Sequence, residues 1–218
     1  MIEMTDVRRT FGRSAHSRPE LRVPRVVIPD GARVHVIGPN GSGRSTLVKL
    51  MLGILRSTHG EILVEGLSPW SARRRLMRDT GVLWGHRSTL WWDASGADAL
   101  DALRSIYSRD PQRYAATVDR LTSALRADDF LDRPIRTLSL GQRQRVEFIA
   151  ALANEPRRLF LDEPFIGLDG AGRTLCLAVL KELPLNTTVL MVDHNGEDLA
   201  DYERIQISAD SVVTPYQG

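Results

Sequence analysis

Short apolar stretches rich in β-branched side chains, bounded by glycine, proline or aspartate, recur along the 218 residues of the chain. Runs of this kind predict buried β-strands, which we place at 26–28, 33–37, 61–64, 158–161 and 188–192. Between the third and fourth strands, apolar residues repeat at three- and four-residue spacing over about 95–126, which indicates helix. Further helices are predicted at 45–55, 142–153 and 172–183, the last ending before Pro184. Strands alternating with helices favour an α/β fold with a mostly parallel sheet, interrupted by a helical insertion.

The composition is that of a folded globular protein. Hydrophobic residues make up 42% and charged residues 26% of the chain, which excludes a disordered or fibrous protein. No apolar run approaches the roughly 20 residues that cross a bilayer, and the amino terminus lacks the apolar segment of a signal peptide. We therefore expect a cytoplasmic protein, unless a partner holds it at a membrane.

Cysteine content and charge exclude two further classes of site. The single cysteine, Cys176, can form no internal disulfide and is too few for a thiolate metal cluster. The net charge is only +2, and one basic cluster stands out on a predicted helix, comprising Arg73, Arg74, Arg75 and Arg78. We interpret this cluster as a solvated helix face, and we expect no nucleic-acid partner.

A glycine-rich loop joins the strand at 33–37 to the next helix. It reads Gly-Pro-Asn-Gly-Ser-Gly-Arg-Ser-Thr over 38–46, and strand, glycine loop and helix is the order of a P-loop. Ser45 occupies the position of a Mg²⁺ ligand, and Thr46 can donate to a phosphate oxygen. The predicted phosphate-binding residues are Asn40, Gly41, Ser42, Gly43, Arg44, Ser45 and Thr46. The alternative is a simple glycine-rich turn.

Two adjacent carboxylates, Asp162 and Glu163, end the strand at 158–161. Beside a P-loop strand, the first can hold Mg²⁺ and the second can orient or deprotonate an attacking water. The alternative is that they cap a helix or solvate a loop.

Three further motifs complete an ordered set. Leu-Ser-Leu-Gly-Gln at 138–142 ends 20 residues before Asp162, Gly-Leu-Asp follows at 167–169, and His194 comes after the last apolar strand. Over nearly the whole chain this order resembles that of the ATP-binding-cassette (ABC) ATPases, with Walker A, signature, Walker B, D-loop and switch histidine. The resemblance implies an α/β P-loop NTPase core of the ABC type at 1–84 and 141–218, with an N-terminal β subdomain. It also implies an inserted helical signature subdomain at 85–140.

The resemblance implies a head-to-tail dimer with two ATP molecules between the subunits. Each ATP would sit on one P-loop and be capped by the other subunit's signature, here Ser139, Gly141 and Gln142. Phe11 matches the aromatic residue that stacks on adenine, the alternative being that it fills the core.

The remaining motif residues take roles in hydrolysis by the same match. Glu163 would polarise the attacking water, Asp162 would support Mg²⁺, and His194 would contact the γ-phosphate. Asp169 would communicate across the dimer interface.

Three positions depart from the family pattern. Arg44 replaces the P-loop lysine, and Leu140 stands where glycine is commoner and adds bulk beside the phosphate. His86 occupies the place of the Q-loop glutamine, where a neutral ring could present a lone pair to Mg²⁺ and water. The alternative is that His86 is an incidental loop residue.

The function implied is the ATP-binding and ATP-hydrolysing subunit of an ABC transporter, peripheral on the inner face of the cell membrane. Its membrane-spanning subunits would come from a separate chain and dock near Trp91 and Trp92, at least one of which is expected near the surface. The dimer could pair two copies or two different cassettes. The 90–93 segment resembles that of drug- or polysaccharide-type exporters, and this resemblance implies export. The alternatives are a degenerate regulatory cassette with little hydrolysis and a soluble ABC-type ATPase.

Overall fold

The computed structural model describes residues 1–11, 20–108, 110–193 and 199–215. The strands are β1 (Ile2–Thr10), β2 (Glu20–Ile28), β3 (Arg33–Ile37), β4 (His59–Val64), β5 (Thr80–Trp84), β6 (Arg158–Asp162), β7 (Thr188–Val192), β8 (Glu203–Ile207) and β9 (Val213–Pro215). The α-helices are α1 (Arg44–Met51), α2 (Arg73–Leu76), α3 (Gly96–Tyr107), α4 (Pro111–Ala124), α5 (Leu140–Leu152) and α6 (Gly170–Lys181). Single 3₁₀ turns lie at Met77–Asp79 and Ile135–Thr137. Each predicted strand and helix overlaps an observed one, but α1 ends at Met51, before the predicted end at residue 55.

The chain divides into two compact units. The first contains Met1–Met77 and Thr188–Gly218, and the second contains Arg78–Thr187. Each unit brings together a different part of the predicted site.

The amino-terminal strands of the first unit form an antiparallel sheet in the order β2-β1-β4. Ile2 and Met4 of β1 are buried, as the alternation of a one-sided sheet requires. The alternation slips at Asp6, whose φ is +48°, and the β1–β4 register shifts between Thr5 and Arg8. This bulge returns Val7 to the buried face.

A second sheet of the first unit is built on β3. Strands β7 and β8 flank β3 in parallel, and β9 pairs antiparallel with β8. All five residues of β7 are buried, because a central parallel strand is covered on both faces. The chain passes from β3 through 38–43 directly into α1, which is the predicted strand, loop and helix order.

The second unit contains the parallel pair β5 and β6, in register from Thr80–Arg158 to Trp84–Asp162. Helix α5 lies close against β5, where a Cβ atom on Gly81 would overlap the carbonyl oxygen of Ala151. Glycine at 81 is therefore what allows this helix to approach the strand.

The predicted helical region at 95–126 is two helices, α3 and α4. Asp110 begins α4, because its carboxylate accepts hydrogen bonds from the backbone N–H groups of Gln112 and Arg113. The apolar face of α3 is buried only along its first half, since Ile106 and Tyr107 remain 60% and 47% exposed. In the described ranges of the chain, no helix is long and apolar enough to cross a membrane.

A buried histidine lies on β3, the strand that leads into the glycine loop. His35 is 2% exposed, and its Nε2 donates to the carbonyl oxygen of Asp193 at 3.0 Å. Burial lowers the pKa of His35, and the positive charges of Arg204 and Arg44 lower it further. The hydrogen bond to Asp193 and the negative charge of that residue act in the opposite direction. The folded protein therefore favours the neutral ring.

The first prediction concerns the pH dependence of stability. Because the pKa of His35 is lowered in the folded state, the unfolded chain takes up a proton more readily below its unfolded pKa of about 6.5. The free energy of unfolding should be full above that pH and should fall as the pH decreases, by at most about 1.4 kcal/mol per pH unit for this proton. Urea unfolding between pH 7.5 and 5.5 measures the slope.

His35→Gln is the matched variant, since an amide can still donate to the Asp193 carbonyl but does not titrate in this range. Its unfolding free energy should depend less on pH than that of the parent. Equal slopes for the two proteins would show that His35 does not contribute.

Candidate functional site

The glycine loop of the first unit turns at two residues with left-handed backbone. Gly41 has φ +79° and Gly43 has φ +106°, conformations that L side chains rarely adopt. Ser42 N–H donates to the Pro39 carbonyl at 3.1 Å and closes the turn. Gly43 is the N-cap residue of α1, and no side chain caps this helix within the described chain.

The loop is also packed closely against its own sheet. A Cβ atom on Gly38 would lie 2.6 Å from the carbonyl oxygen of Ile207 and 2.8 Å from Ser42 Oγ. Ser42 Oγ is buried and has no hydrogen-bond partner among the residues that the structure describes. An unpaired buried hydroxyl before an uncapped helix terminus fits a phosphate group, which accepts hydrogen bonds from both.

Arg44 follows Gly43 and is only 9% exposed. Its Nη2 donates to Asn40 Oδ1 at 3.0 Å, so the guanidinium is bonded to the loop that precedes it. Ser45 and Thr46 lie half-buried on the first turn of α1. The seven predicted phosphate-binding residues are consecutive, and they form the loop before α1 and the first turn of that helix.

The two carboxylates of the second unit follow directly from β6. Asp162 is buried, and its Oδ1 has no hydrogen-bond partner in the described ranges. An unpaired carboxylate oxygen is a ligand that Mg²⁺ accepts. Glu163 is half-buried and has φ +56°, a left-handed conformation that is uncommon outside glycine, asparagine and aspartate.

The end of β5 passes close to these carboxylates. Gly85 N–H donates to the Asp162 carbonyl at 2.7 Å, and a Cβ atom on Gly85 would overlap the carbonyl oxygen of Glu163. His86 comes next, exposed in the turn. The Q-loop position is therefore one residue from the backbone of both carboxylates.

The signature residues begin α5, two residues earlier than the sequence predicted. Ser139 is the N-cap, its Oγ accepting from Gln142 N–H at 3.2 Å while Gln142 Oε1 accepts from Ser139 N–H at 3.0 Å. This capping box fixes the exposed Ser139 at the helix terminus, and its hydroxyl hydrogen can still be donated.

Leu140 lies against the D-loop segment of its own chain. Its side chain occupies the space that a Cβ atom on Gly167 would need, and Gly167 has φ +73°. A Cβ atom on Gly141 would likewise lie 2.7 Å from the Gly167 carbonyl oxygen. The added bulk of Leu140 thus contacts the D-loop, although 40% of the residue remains exposed.

Helix α5 is also joined to the residues after the carboxylates. Gln144 Nε2 donates to the Pro164 carbonyl at 2.7 Å, and the rings of Phe148 and Phe165 stack at 6.2 Å. The D-loop carboxylate Asp169 caps α6 by accepting from Gly172 N–H at 2.7 Å. Sequence reasoning missed Gln144, although a polar residue on the buried face of a predicted helix is a usable signal.

Two predicted residues remain. Phe11 follows β1, is 36% exposed, and has the Arg9 guanidinium 5.1 Å from its ring centroid, so it does not fill the core. His194 lies outside the described residues.

Comparison with known proteins identifies the family and the fold of the chain. The family model described as ABC transporter matches residues 21–166. The zinc transport system ATP-binding protein TroB of Treponema pallidum is 35% identical over 190 residues, which cover 85% of this chain and 70% of TroB. The macrolide export ATP-binding/permease protein MacB of Rhodospirillum rubrum is 32% identical over 228 residues, which cover all of this chain and 34% of MacB.

Among solved structures, the dimeric structure of MJ0796, a bacterial ABC transporter cassette, superposes with a TM-score of 0.86 at 22% identity, covering all of both chains. This likeness confirms the fold, an α/β P-loop NTPase core of the ABC type. The family match and the TroB relationship show more than the fold, because they extend over most of the sequence. The chain belongs to the ABC transporter family, with the motifs of its ATP-binding cassette proteins.

Proposed function

We propose that this protein is the ATP-binding and ATP-hydrolysing subunit of an ABC transporter. The observation that carries the proposal is the loop before α1, where Gly41 and Gly43 have left-handed backbone and Ser42 Oγ is buried without a partner in the described chain. A polyphosphate supplies the acceptors that this loop and the uncapped helix lack.

ATP is held in this proposal by the loop residues 40–46 and by Phe11. The half-buried hydroxyl of Thr46 donates to a phosphate oxygen, and the Arg44 guanidinium neutralises phosphate charge. The exposed ring of Phe11 is available to stack on adenine.

By the family match, Mg²⁺ would be held by the Ser45 hydroxyl and by Asp162, whose Oδ1 has no partner in the described chain, with His86 as a further ligand. When bound, Mg²⁺ neutralises the charge that develops on the phosphates. In this proposal Glu163 would orient the attacking water and accept its proton, and His194, which lies outside the described residues, would contact the γ-phosphate by the family match.

Dimerisation is proposed to complete the site. The exposed Ser139, Gly141 and the first turn of α5 offer a hydroxyl, amides and a helix N-terminus to the γ-phosphate on a second cassette. Asp169 communicates across the interface. The proposed nucleotide-binding core comprises 1–84 and 141–218, and the proposed helical signature subdomain comprises 85–140.

Membrane-spanning subunits on a separate chain are the proposed partners, which would hold the protein peripherally at the inner face of the cell membrane. Trp91 and Trp92 are 48% and 51% exposed, and exposed adjacent indoles suit an interface anchor. Of the two directions of transport, we propose export, on the resemblance of the 90–93 segment to exporters.

A second candidate function is a regulatory cassette that binds ATP but hydrolyses it slowly. It is favoured by the bond from Arg44 to Asn40, which directs the P-loop cation toward its own loop. The Arg44 variants described below distinguish the two.

The second prediction tests ATP-driven dimerisation. Glu163→Gln should retain ATP binding but lower the hydrolysis rate by about 10²- to 10⁴-fold, because the amide cannot accept the proton of the attacking water. The ATP-bound dimer should therefore accumulate, as measured by size-exclusion chromatography with light scattering in the presence and absence of Mg-ATP.

Glu182→Gln, at an exposed carboxylate of the same unit, is the control and should behave as the parent. A Glu163→Gln protein that stays monomeric with Mg-ATP at high concentration would contradict a homodimeric sandwich and leave pairing with a different cassette.

The third prediction concerns Arg44. An ammonium reaches between the β- and γ-phosphates as a compact charge, whereas the bonded guanidinium would displace the γ-phosphate from the line of attack. Arg44→Lys should raise kcat by up to about a hundredfold with little change in ATP affinity. Arg44→Ala should lower both kcat and the affinity for ATP. Steady-state ATPase assays and nucleotide titrations measure these effects. A parent protein that hydrolyses ATP rapidly, and whose rate falls in Arg44→Lys, would show that the site is adapted to arginine.

The fourth prediction concerns the partner surface. Replacing Trp91 and Trp92 with alanine should leave the melting temperature and ATP affinity of the isolated protein nearly unchanged, because both side chains are half-exposed. Recovery of the membrane subunit with the tagged protein should fall, since a buried interface tryptophan contributes about 2 kcal/mol or more.

Trp70→Ala is the matched control, because Trp70 is also 51% exposed but belongs to the first unit. Equal recovery of the membrane subunit with both variants and the parent would exclude Trp91 and Trp92 from the interface.

A further inference from the structure

A buried carboxylate lies in the middle of the signature helix, away from the motif residues. Glu147 is 2% exposed within α5, and its neighbours Val146, Phe148 and Ile149 are fully buried apolar residues. A charge in such a position requires donors that replace its lost water.

Those donors come from the loop that carries Trp91 and Trp92. Glu147 Oε1 accepts from Ser88 Oγ at 2.5 Å and from Thr89 N–H at 2.9 Å, and Oε2 accepts from Thr89 Oγ1 at 2.6 Å. Both carboxylate oxygens are thus used by two consecutive loop residues. Leu90 N–H also donates to Ser88 Oγ at 3.2 Å, which folds the loop onto this anchor.

The same loop contacts the signature segment at a second place. The Arg143 guanidinium, on the first turn of α5, lies 5.5 Å from the ring centroid of Trp92. The backbone N–H of Arg136, just before the signature, donates to the Trp92 carbonyl at 3.0 Å, and the Arg136 Nε forms an ion pair with Asp93 Oδ1 at 3.1 Å. The segment 88–93, which we call the tryptophan loop, is therefore attached at both ends.

Helix α5 connects these attachments to the signature serine, Ser139. Arg143 N–H donates to the Ser139 carbonyl at 2.9 Å, and the capping box fixes Ser139 on the same helix that carries Glu147. A displacement of the tryptophan loop cannot leave α5 in place without breaking the bonds to Glu147.

We propose that Glu147 is a positioning residue that makes the tryptophan loop and the signature helix move as one body. This proposal rests on the proposed function, because it links docking of a membrane subunit on Trp91 and Trp92 to capping of ATP by Ser139. In this proposal the Glu147 carboxylate contacts neither the membrane subunit nor ATP. It couples a displacement of the tryptophan loop to a displacement of the signature helix.

The fifth prediction tests this link with the two indoles as reporters. Trp70→Phe and Trp84→Phe leave Trp91 and Trp92 as the only tryptophans of the four in the chain. This double variant is the parent for the experiment. Saturating Mg-ATP should change its acrylamide quenching constant by at least about twofold, because capping of ATP is expected to move α5 and, with it, the tryptophan loop. ATP binding is measured separately by calorimetry.

Glu147→Leu, which removes both acceptor oxygens at similar volume, should bind ATP within about threefold of the parent affinity and lose the quenching response. Glu147→Gln should keep most of the response, because its amide oxygen accepts and its NH₂ can donate to the Thr89 hydroxyl. Ser88→Ala with Thr89→Val removes side-chain donors from the loop alone, and it should reproduce the loss with α5 unaltered.

Glu155→Leu is the control, since this carboxylate of the same unit is bonded to Thr117 and Arg113 instead of the tryptophan loop. It should respond as the parent does. Hydrogen exchange adds a measurement that needs no nucleotide, and amides of 88–93 should exchange at least tenfold faster in Glu147→Leu and in the double loop variant.

The outcomes separate the two proposals. Absence of ATP binding by the parent would overturn the proposed function, while hydrogen exchange would still test the anchor. ATP binding with an equal quenching response in the parent, Glu147→Leu and the loop variant would overturn the link, as would a parent that binds ATP without a response. Exchange rates of 88–93 within twofold of the parent would overturn the anchoring role of Glu147.

Discussion

The proposed recognition of a polyphosphate depends on the uncapped amino end of α1. The chain leaves β3 and reaches the helix through a loop that turns at Gly41 and Gly43, so no side chain at the N-cap position competes for the first amides. The loop is also too close to β8 to admit a side chain at Gly38. Backbone conformation, close packing and the unpaired Ser42 hydroxyl thus all favour the same kind of ligand.

In the second unit, helix α5 connects the predicted functional segments. Its N-cap serine is the signature serine, Gln144 and Phe148 hold the segment after the carboxylates, and Glu147 holds the tryptophan loop. One helix therefore links the proposed phosphate cap, hydrolytic carboxylate and partner surface, and Leu140 adds a contact with the D-loop at Gly167. Helices transmit displacement along their length because their backbone hydrogen bonds are satisfied internally.

Charged groups buried near these elements follow the same physical rule, that a buried polar group needs a specific partner. Glu147 has three neutral donors, Arg44 has Asn40, and His35 has Nε2 bonded to a backbone carbonyl, although its Nδ1 has no partner in the described chain. Asp162 Oδ1 and Ser42 Oγ are the exceptions within the predicted site, since neither has a partner in the described chain. Both exceptions lie where the sequence predicts Mg²⁺ and phosphate.

The sequence by itself determined the features that depend on local chemistry. Continuous apolar runs specified β3, β6 and β7, the glycines specified the phosphate loop, and Ser139 with Gln142 is a capping box that can be recognised from spacing alone. The N-terminal β subdomain was predicted without bounds for β1, whose bulge at Asp6 breaks the alternation, and β5 was missed because it is short and contains Gly81. Only the tertiary structure decided that Phe11 is exposed, that Leu140 meets Gly167, and that Glu147 holds a loop 58 residues away in sequence. These contacts join residues distant along the chain, and periodicity or spacing carries no information about which distant surfaces meet.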